Sequence, residues 1–574
     1  MTVTLPRRTA TRPPDSIGAE HAPRPRRSPE RVAAVLTLGA LVVLALSALA
    51  EIDISLPRMV QSWSNAERFF VRIGPITFPD RDVLVALTAQ TLRLVLTGTL
   101  LAAALSIPLA CLAASNTSPG PIWRGLARFL GVVARAVPDV VLAMVFVLMF
   151  SLGSLPGILA IGIHSVGMVS KMFADAIEQI DEGPKLAIRA AGGSKVQEFT
   201  AGVLPQVLPS WIATVLHRND INLRGSVILG YVGVAGLGLE MSYAFKSLDY
   251  GRGLGIAIII FILCVVMEVI SSSVRAAMLG AGTTAVGPFG RLLRRIRPAR
   301  PARAPSGPAT TSKSALRRPW NAMRVRNTVA GTVTAAVIVA SVLVSDIRWS
   351  DFVTFWGRVP AVAVQFWPPS FGSYEVGAMV QAMRETVVIA LAAALLALVA
   401  SFVIGSLAAR NVAPNRSTRS GFRLLLVTVR GIPELILAIV LIVISGLGTQ
   451  AGTIALAVGG VGLLGKLIAD SVEEVDSGPE RALAATGANR LQIFAGATVP
   501  QSARAMLGHT FYLIDANFRA ATLLGIVGGG GIGYYLLNSS QGSKYATVTA
   551  IVLMILVTVL AVEGLAMWMR RVFR

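Results

Sequence analysis

The 574-residue chain has few charged residues, few histidines and almost no cysteine. Charged side chains make up 14% of it, whereas a soluble domain carries about 25%, so an ordinary soluble fold is excluded. The two cysteines, Cys111 and Cys264, lie inside apolar runs, which predicts reduced packing residues and neither a disulfide nor a metal pair. The sequence contains no constellation of metal ligands or nucleophiles and no ATPase signature. We therefore expect no metal site, no cofactor bound by this chain and no enzymatic activity.

Acidic residues are missing where basic residues cluster. The net charge of +22 is concentrated in an N-terminal tail over 1–31, a stretch over 280–326 without one acid, and the C-terminal end. All three clusters adjoin apolar segments, which is the arrangement that the positive-inside rule gives to cytoplasmic flanks. This pattern predicts cytoplasmic termini and contact with anionic membrane lipid, and it argues against nucleic acid as a partner.

Apolar segments of membrane-spanning length recur along the chain. A helix needs about twenty apolar residues to cross the hydrocarbon core of a bilayer. Six such segments are predicted in the first half, at roughly 32–50, 86–112, 126–150, 154–176, 205–234 and 252–278. The fold class that follows is an all-α polytopic membrane protein.

The chain is a tandem duplication. Thr386 lies 295 residues after Thr91, and the same separation relates Lys171 to Lys466. One offset without a gap predicts two units of about six transmembrane helices each. Because an even number of spans returns the chain to its starting side, the two units are expected to be parallel. The predicted divisions are a basic cytoplasmic tail over 1–31, a first unit over 32–279, a disordered basic cytoplasmic linker over 280–326 and a second unit over 327–574.

A polar segment follows the fourth predicted span of each unit. It reads Gly-Pro-Lys-Leu-Ala-Ile-Arg-Ala-Ala-Gly from Gly183 to Gly192, and Gly-Pro-Glu-Arg-Ala-Leu-Ala-Ala-Thr-Gly from Gly478 to Gly487. The alanines favour a short helix, the final glycine ends it, and a proline opens the next span. Two copies with the same spacing favour a function beyond connecting two spans.

This segment resembles the coupling-helix motif of the permeases of ABC importers. Three further motifs, each present in both units, resemble the phosphonate permease family within that superfamily. They are Arg-x-x-Pro-Asp/Glu in the third span, Lys-x-x-x-Asp-x-x-Glu closing the fourth, and Asp-x-Asn-x-Arg with a following glycine-rich run in the fifth. The resemblance implies the ABC-importer permease fold with cytoplasmic coupling helices in a bacterial inner membrane. It also implies import of phosphonate or a related phosphorus oxyanion, such as phosphate or phosphite.

The resemblance assigns partners as well. Two separate ATPase subunits, which hold ATP and Mg, bind the coupling helices, and an external substrate-binding protein delivers the solute. The motif's glutamate is replaced by Leu186 in one unit and Arg481 in the other, and the neighbouring Glu480 is a candidate substitute. The residues assigned to coupling are Gly183, Pro184, Ala187, Ala190, Gly192, Gly478, Pro479, Ala482, Ala485 and Gly487.

Inserting a charged residue into the centre of a membrane helix costs about 2.5–3.5 kcal/mol of free energy, so such residues are expected to have a structural or functional role. In the third and fifth spans, an acid and an arginine stand four residues apart, which places them one helical turn apart. Ion pairs are predicted in the third span between Arg135 and Asp139 and between Arg430 and Glu434. The fifth-span residues are expected either to pair internally or to line the passage of an oxyanion, whose oxygens a guanidinium binds in bidentate fashion. These residues are Asp220, Asn222, Arg224, Asp515, Asn517 and Arg519.

The two units are not chemically identical along this span. His217 and Arg218 of the first unit correspond to Tyr512 and Leu513 of the second. Glycines follow the span in both units and allow a turn, a close helix contact or a gate hinge. The glycines considered for this role are Gly233, Gly236, Gly238, Gly528, Gly531 and Gly533.

Two other functions stay open at the level of sequence. An ABC importer permease for another small solute fits the coupling motif, although the intramembrane arginines suit an anion better. An ion-coupled secondary transporter would use the membrane carboxylates as ion sites, but it leaves the two coupling segments unexplained.

Overall fold

The computed structural model describes residues 29–52, 74–278, 339–344, 349–445 and 448–572, together with a few isolated positions. Helices dominate both units. In the first unit they are α1 (Pro29–Ile52), α2 (Arg81–Ala113), α3 (Pro121–Ala136), α4 (Asp139–Phe150), α5 (Ser154–Glu178), α6 (Gly183–Ala190), α7 (Leu204–Gly230), α8 (Leu237–Lys246) and α9 (Tyr250–Met278). In the second unit they are α10 (Trp349–Phe366), α11 (Val376–Ala408), α12 (Arg416–Gly431), α13 (Glu434–Ser445), α14 (Thr449–Glu473), α15 (Ser477–Ala485), α16 (Val499–Ile526), α17 (Ile532–Gln541) and α18 (Tyr545–Val572).

The duplication is visible in the helix boundaries. Helices α2 to α5 recur 295 residues later as α11 to α14, and each pair begins and ends at equivalent residues. Eight described helices are long and apolar enough to cross a membrane, and ten segments are if each bent pair counts as one span. These findings confirm the predicted all-α membrane fold built from two tandem units.

The third predicted span of each unit is a bent pair of helices. In the first unit, α3 ends and α4 begins on either side of Pro138, and in the second unit α12 and α13 meet around Pro433 at an angle of 76°. Proline lacks a backbone N–H and disfavours helical conformation in the residue before it, so the helix breaks there. The third span, predicted at roughly 126–150, is therefore interrupted at Pro138 and is not one continuous helix.

Helix α16 occupies the place of α7 but is not among the eight apolar helices. It carries Arg504, His509, Asp515 and Arg519, and it packs against α11 and α14 of its own unit. Most of its polar residues are thereby held within protein, which is where ionisable groups in membrane helices are found. The predicted tail up to residue 28, nearly all of the linker and most of the second unit's first span lie outside the described residues.

Small residues set the spacing of the helices inside each unit. A Cβ on Gly98 of α2 would lie 2.9 Å from the Cγ2 of Ile161 in α5, and one on Gly162 would lie 2.6 Å from the Cδ2 of Leu101. In the second unit, a Cβ on Gly405 of α11 would lie 2.6 Å from the carbonyl oxygen of Gly465. Without side chains at these positions, the two long helices approach closely enough for extensive van der Waals contact.

The two units interlock through their first spans. Helix α1 packs against α11 and α18 of the second unit, and Glu51 pairs with Arg384 of α11 at 2.6 Å. In the opposite direction, Arg93 of α2 donates to the carbonyl oxygen of Val344 at 3.3 Å. The two predicted units are therefore repeats in the sequence, and in the structure their helices contact one another.

Candidate functional site

A cavity of 340 Å³ lies between the two units, at the level of the middle of α7 and α16. It is bounded by both bent third spans and by α5, α7, α14 and α16. The charged side chains that line it are Arg135, Asp139, Arg218, Asp220, Arg224, Arg430, Glu434 and Arg519. Five arginines thus face three carboxylates, an excess of positive charge that suits an anion.

Fifth-span ion pairs occur in both units, as predicted. Arg224 pairs with Asp220 at 2.9 Å, and Arg519 pairs with Asp515 at 2.8 Å. Each pair spans one turn of helix, so the arginine is partly neutralised by its own helix. Arg224 also lies 3.7 Å from Glu268 of α9 and donates a hydrogen bond to the carbonyl oxygen of Arg430 in the other unit.

The predicted third-span ion pairs are wrong. Arg135 pairs with Glu563 of α18 in the other unit, and no ion pair within 4 Å joins Arg430 to Glu434 among the described residues. The break at each proline explains this, because it removes the single helical turn that would bring the two groups together. Asp139 instead accepts a hydrogen bond from the backbone N–H of Val140 at 2.9 Å, at the start of α4.

Four of the six predicted pathway residues line the cavity. Asp220, Asn222, Arg224 and Arg519 do so, whereas Asp515 and Asn517 are buried behind it. The second unit therefore presents one of its three motif residues, and the first unit presents all three.

Several cavity residues were absent from the predicted site. They are His164, Met168, His217, Arg218 and Tyr512. The signal for them was the departure from the repeat: His164, Met168 and Arg218 correspond to Gly459, Leu463 and Leu513 in the second unit. The Nδ1 of His164 lies 2.9 Å from the carbonyl oxygen of Val137 and donates to it, since a carbonyl only accepts.

A chain of hydrogen bonds fixes Arg218 from behind. Its Nε donates to the Oγ of Ser165 at 2.9 Å, and Ser165 donates to the Oδ1 of Asn222 at 3.1 Å. The Nδ2 of Asn222 donates to the Oγ1 of Thr99 at 2.9 Å. All four side chains are buried, so the position of the guanidinium is set by the interior of the first unit.

A smaller cavity of 130 Å³ shares Arg224 and Arg430 with the central one. It is also lined by Glu268, Lys466 and Asp470, the last two near the C-terminal end of α14. Charged groups of both signs therefore continue from the central cavity toward that end of α14.

The predicted coupling segments form short exposed helices, α6 and α15. Gly192 and Gly487 follow them with φ of +80° and +82°, a left-handed conformation that ends a helix and favours glycine. In each unit a proline followed by a glutamine lies at the start of the next span. Gln206 donates a hydrogen bond to the carbonyl oxygen of Asp181 at 3.0 Å, and Gln501 donates in the same way to the carbonyl oxygen of Asp476. Each segment is thus tied to the start of the next span.

The exposed faces of the coupling segments differ. The first presents Leu186, 51% exposed, where the second presents Arg481. Glu480 is turned inward, because its Oε1 accepts hydrogen bonds from Thr498 at 2.6 Å and Asn411 at 3.1 Å. The suggestion that Glu480 replaces the motif glutamate in contact with a partner is therefore not supported.

Four of the six predicted gate glycines lie in tight turns between α7 and α8 or between α16 and α17, and the other two, Gly238 and Gly533, lie in the first turns of α8 and α17. Gly236 and Gly531 have positive φ, and a Cβ on Gly236 would lie 2.8 Å from the Oγ1 of Thr91. That hydroxyl accepts the backbone N–H of Leu237 at 2.9 Å, and Thr386 caps Ile532 identically. The turn and close-contact roles are observed for these glycines, while motion about them stays a prediction. The positions concerned are Gly233, Gly236, Gly238, Gly528, Gly531 and Gly533.

Comparison with known proteins gives consistent matches. Residues 106–279 and 401–574 each match the family described as binding-protein-dependent transport system inner membrane component. The phosphate-import permease protein PhnE of Mycolicibacterium smegmatis is 37% identical over 90% of this chain and 91% of its own length. The phosphite transport system permease protein PtxC of Stutzerimonas stutzeri is 38% identical over 32% of this chain and 68% of its own length. A structure of the MetNI methionine ABC transporter covers 34% of this chain and 96% of its own, at 21% identity and a TM-score of 0.32.

Proposed function

This chain belongs to the family of binding-protein-dependent transport system inner membrane components, and we propose that it supplies both halves of the membrane pathway for import of a phosphorus oxyanion. It is a multi-pass inner-membrane transport subunit and not an enzyme, because ATP hydrolysis in this family belongs to a separate ATPase. The substrate class is supported by relatives named for phosphate and phosphite transport.

The observation that carries the proposal is the charge of the central cavity. Its lining contains five arginines and three carboxylates contributed by both units. Guanidinium groups bind phosphorus oxygens by paired N–H donors. Two of these arginines, Arg224 and Arg519, are partly neutralised by aspartates on their own helices, which weakens anion binding enough for release.

The two exposed coupling segments support an arrangement with two ATPase subunits, one on each segment. ATP and Mg would be held by those subunits, and closure of the pair would move α6 and α15 and thereby alternate access to the cavity. In this proposal both termini and the linker lie in the cytoplasm, as their basic residues favour, and the substrate-binding protein acts on the opposite side of the membrane.

Transport in proteoliposomes tests the proposal. The chain, its ATPase and its binding protein are reconstituted with ATP enclosed, and uptake of ³³P-labelled phosphate is measured. We expect accumulation that requires enclosed ATP and is reduced by excess methylphosphonate but not by an amino acid. Accumulation of a labelled amino acid in place of phosphate would favour the alternative importer.

The ion-coupled alternative has a different outcome in the same vesicles. Uptake driven by an imposed proton or sodium gradient, without ATP, would support a secondary transporter and contradict the proposal. ATP-dependent uptake that is unchanged when both gradients are collapsed supports an ATP-driven importer.

The assignment of the coupling segments has its own test. Valine at both Gly192 and Gly487 should separate ATP hydrolysis from uptake, because a β-branched residue is strained at φ near +80°. Gly421→Val is the matched control, since a Cβ there meets nothing within 4 Å and the residue lies in α12 with ordinary helical φ. Normal coupled uptake by the double valine variant would contradict the docking assignment.

A further inference from the structure

Arg218 stands apart from the other arginines of the central cavity. Arg135, Arg224 and Arg519 each form an ion pair with a carboxylate within 4 Å. Arg218 and Arg430 form none within that distance among the described residues, and of these two only Arg218 is buried, at 8% exposed. Asp139 lines the same cavity but is not within ion-pair distance of it. A buried guanidinium without a carboxylate is costly unless another anion occupies the site.

The described contacts of Arg218 leave part of its guanidinium available. Nε donates to Ser165, and Nη1 lies 3.4 Å from the sulfur of Met168, while Nη2 has no hydrogen-bond partner among the described residues. The partners of Arg218 are thus a hydroxyl and a thioether, and neither neutralises its charge. The side chain is held in place by Ser165 and the hydrogen bonds behind it, with donor capacity left toward the cavity it lines.

The second unit has a different pair of residues at the two equivalent positions. Ser165 and Arg218 correspond to Gly460 and Leu513, and a Cβ on Gly460 would lie 3.3 Å from the Cδ1 of Leu513. Leu513 is buried in an apolar cluster of its own unit. The first copy thus has a serine and an arginine where the second has a glycine and a leucine, and the same helix pair accommodates both combinations.

We propose that the oxyanion is bound in the central cavity by Arg218 of the first unit, so that one anion site serves the duplicated scaffold. The inference rests on the proposed function and deepens it by assigning the binding group. Ser165, Asn222 and Thr99 act as positioning residues for this guanidinium. Arg135 then serves mainly to join the two units through Glu563, and Arg224 and Arg519, which are partly neutralised by their own aspartates, bind the anion more weakly.

The deciding variant copies the second unit. Ser165→Gly with Arg218→Leu installs in α5 and α7 the pair that α14 and α16 already pack, which favours a folded product. We expect ATP-dependent phosphate uptake to fall about tenfold or more, the loss that follows from one charge-assisted hydrogen-bonded group. ATPase stimulation by the binding protein and the melting temperature should stay near wild type. Leu513→Met, at the equivalent position of the second unit, is the control and should transport normally.

Two single variants cover the case in which the double variant fails to assemble. Arg218→Lys keeps the charge without the planar fork and should transport with a raised half-saturation concentration, whereas Arg218→Gln should lose uptake. Uptake within twofold of wild type in the double variant, or in Arg218→Gln, would overturn the proposal. The proposed function fails differently, as a wild-type protein that accumulates neither phosphate nor methylphosphonate.

Discussion

The two units have the same helices and differ in the interior behind the cavity. In the first unit four polar side chains form a continuous hydrogen-bonded chain. In the second unit three of the four positions are apolar or glycine, and only the asparagine is kept. The corresponding pairs are Thr99 and Ala394, Ser165 and Gly460, Arg218 and Leu513, and Asn222 and Asn517.

Asn517, the asparagine that corresponds to Asn222, lacks the hydrogen-bonding partners that Asn222 has in the first unit. In the second unit, the Nδ2 of Asn517 is buried and has no hydrogen-bond partner among the described residues. Some features shared by both units serve the scaffold, as with Thr91 and Thr386, which cap equivalent helices. The hydrogen-bonded chain of the first unit is not needed for the scaffold, since the second unit has the same helices without it, and it is therefore a guide to substrate chemistry.

The largest expected effect concerns the ion pair between the units. Glu563→Ala leaves Arg135 without its carboxylate, and both side chains are less than a fifth exposed. Removing one partner of a buried pair costs about 3–5 kcal/mol. Glu268→Ala, at the equivalent position, should cost less, because Arg224 keeps Asp220 at 2.9 Å. Melting temperatures in detergent should therefore fall further for Glu563→Ala.

Charge reversal provides the control for that comparison. Arg135→Glu combined with Glu563→Arg restores a pair between the units and should recover part of the lost stability. Equal losses for Glu563→Ala and Glu268→Ala, with no recovery by the reversal, would show that the pair between units does not distinguish the two halves.

A smaller effect is expected from the two asparagines. Asn222→Ala breaks the hydrogen bonds to Ser165 and Thr99, which leaves buried polar groups unpaired and costs about 1–3 kcal/mol. Asn517→Ala removes a side chain whose Nδ2 already lacks a partner, so its cost should be smaller. We also expect Asn222→Ala, and not Asn517→Ala, to raise the half-saturation concentration for phosphate uptake. The same stability loss and the same uptake in both variants would contradict the asymmetry.

Local spacing predicted part of the site and missed the rest for physical reasons. The pairs Asp220–Arg224 and Asp515–Arg519 follow from one turn of helix and were predicted. The Arg135–Glu563 pair joins residues 428 positions apart, and no local rule gives it. The helix break at Pro138 was readable from the proline, but the apolar run around it favoured one continuous span.

The repeat itself was the most informative feature of the sequence. Its single offset anticipated the helix boundaries of both units, because homologous segments fold alike. It also marked Arg218 as a difference between copies, although its isolation from carboxylates depends on packing between α5, α7 and the opposite unit. Aligning the two copies shows which residues differ, whereas only the three-dimensional contacts show which of the charged residues form ion pairs.

The smallest expected effect concerns the two coupling faces, which differ on the outside as the cavity walls differ on the inside. Arg481→Leu makes the second face resemble the first, where Leu186 stands, and both positions are exposed. An exposed charge contributes at most about 1 kcal/mol, so the change should alter ATPase affinity by less than tenfold. It should also reduce the dependence of that affinity on salt, because screening acts on the removed charge. Leu186→Arg should increase the salt dependence, and titration of the ATPase at two ionic strengths measures both. If neither variant changes the salt dependence, position 481 lies outside the contact and the two faces bind the ATPase through what they share.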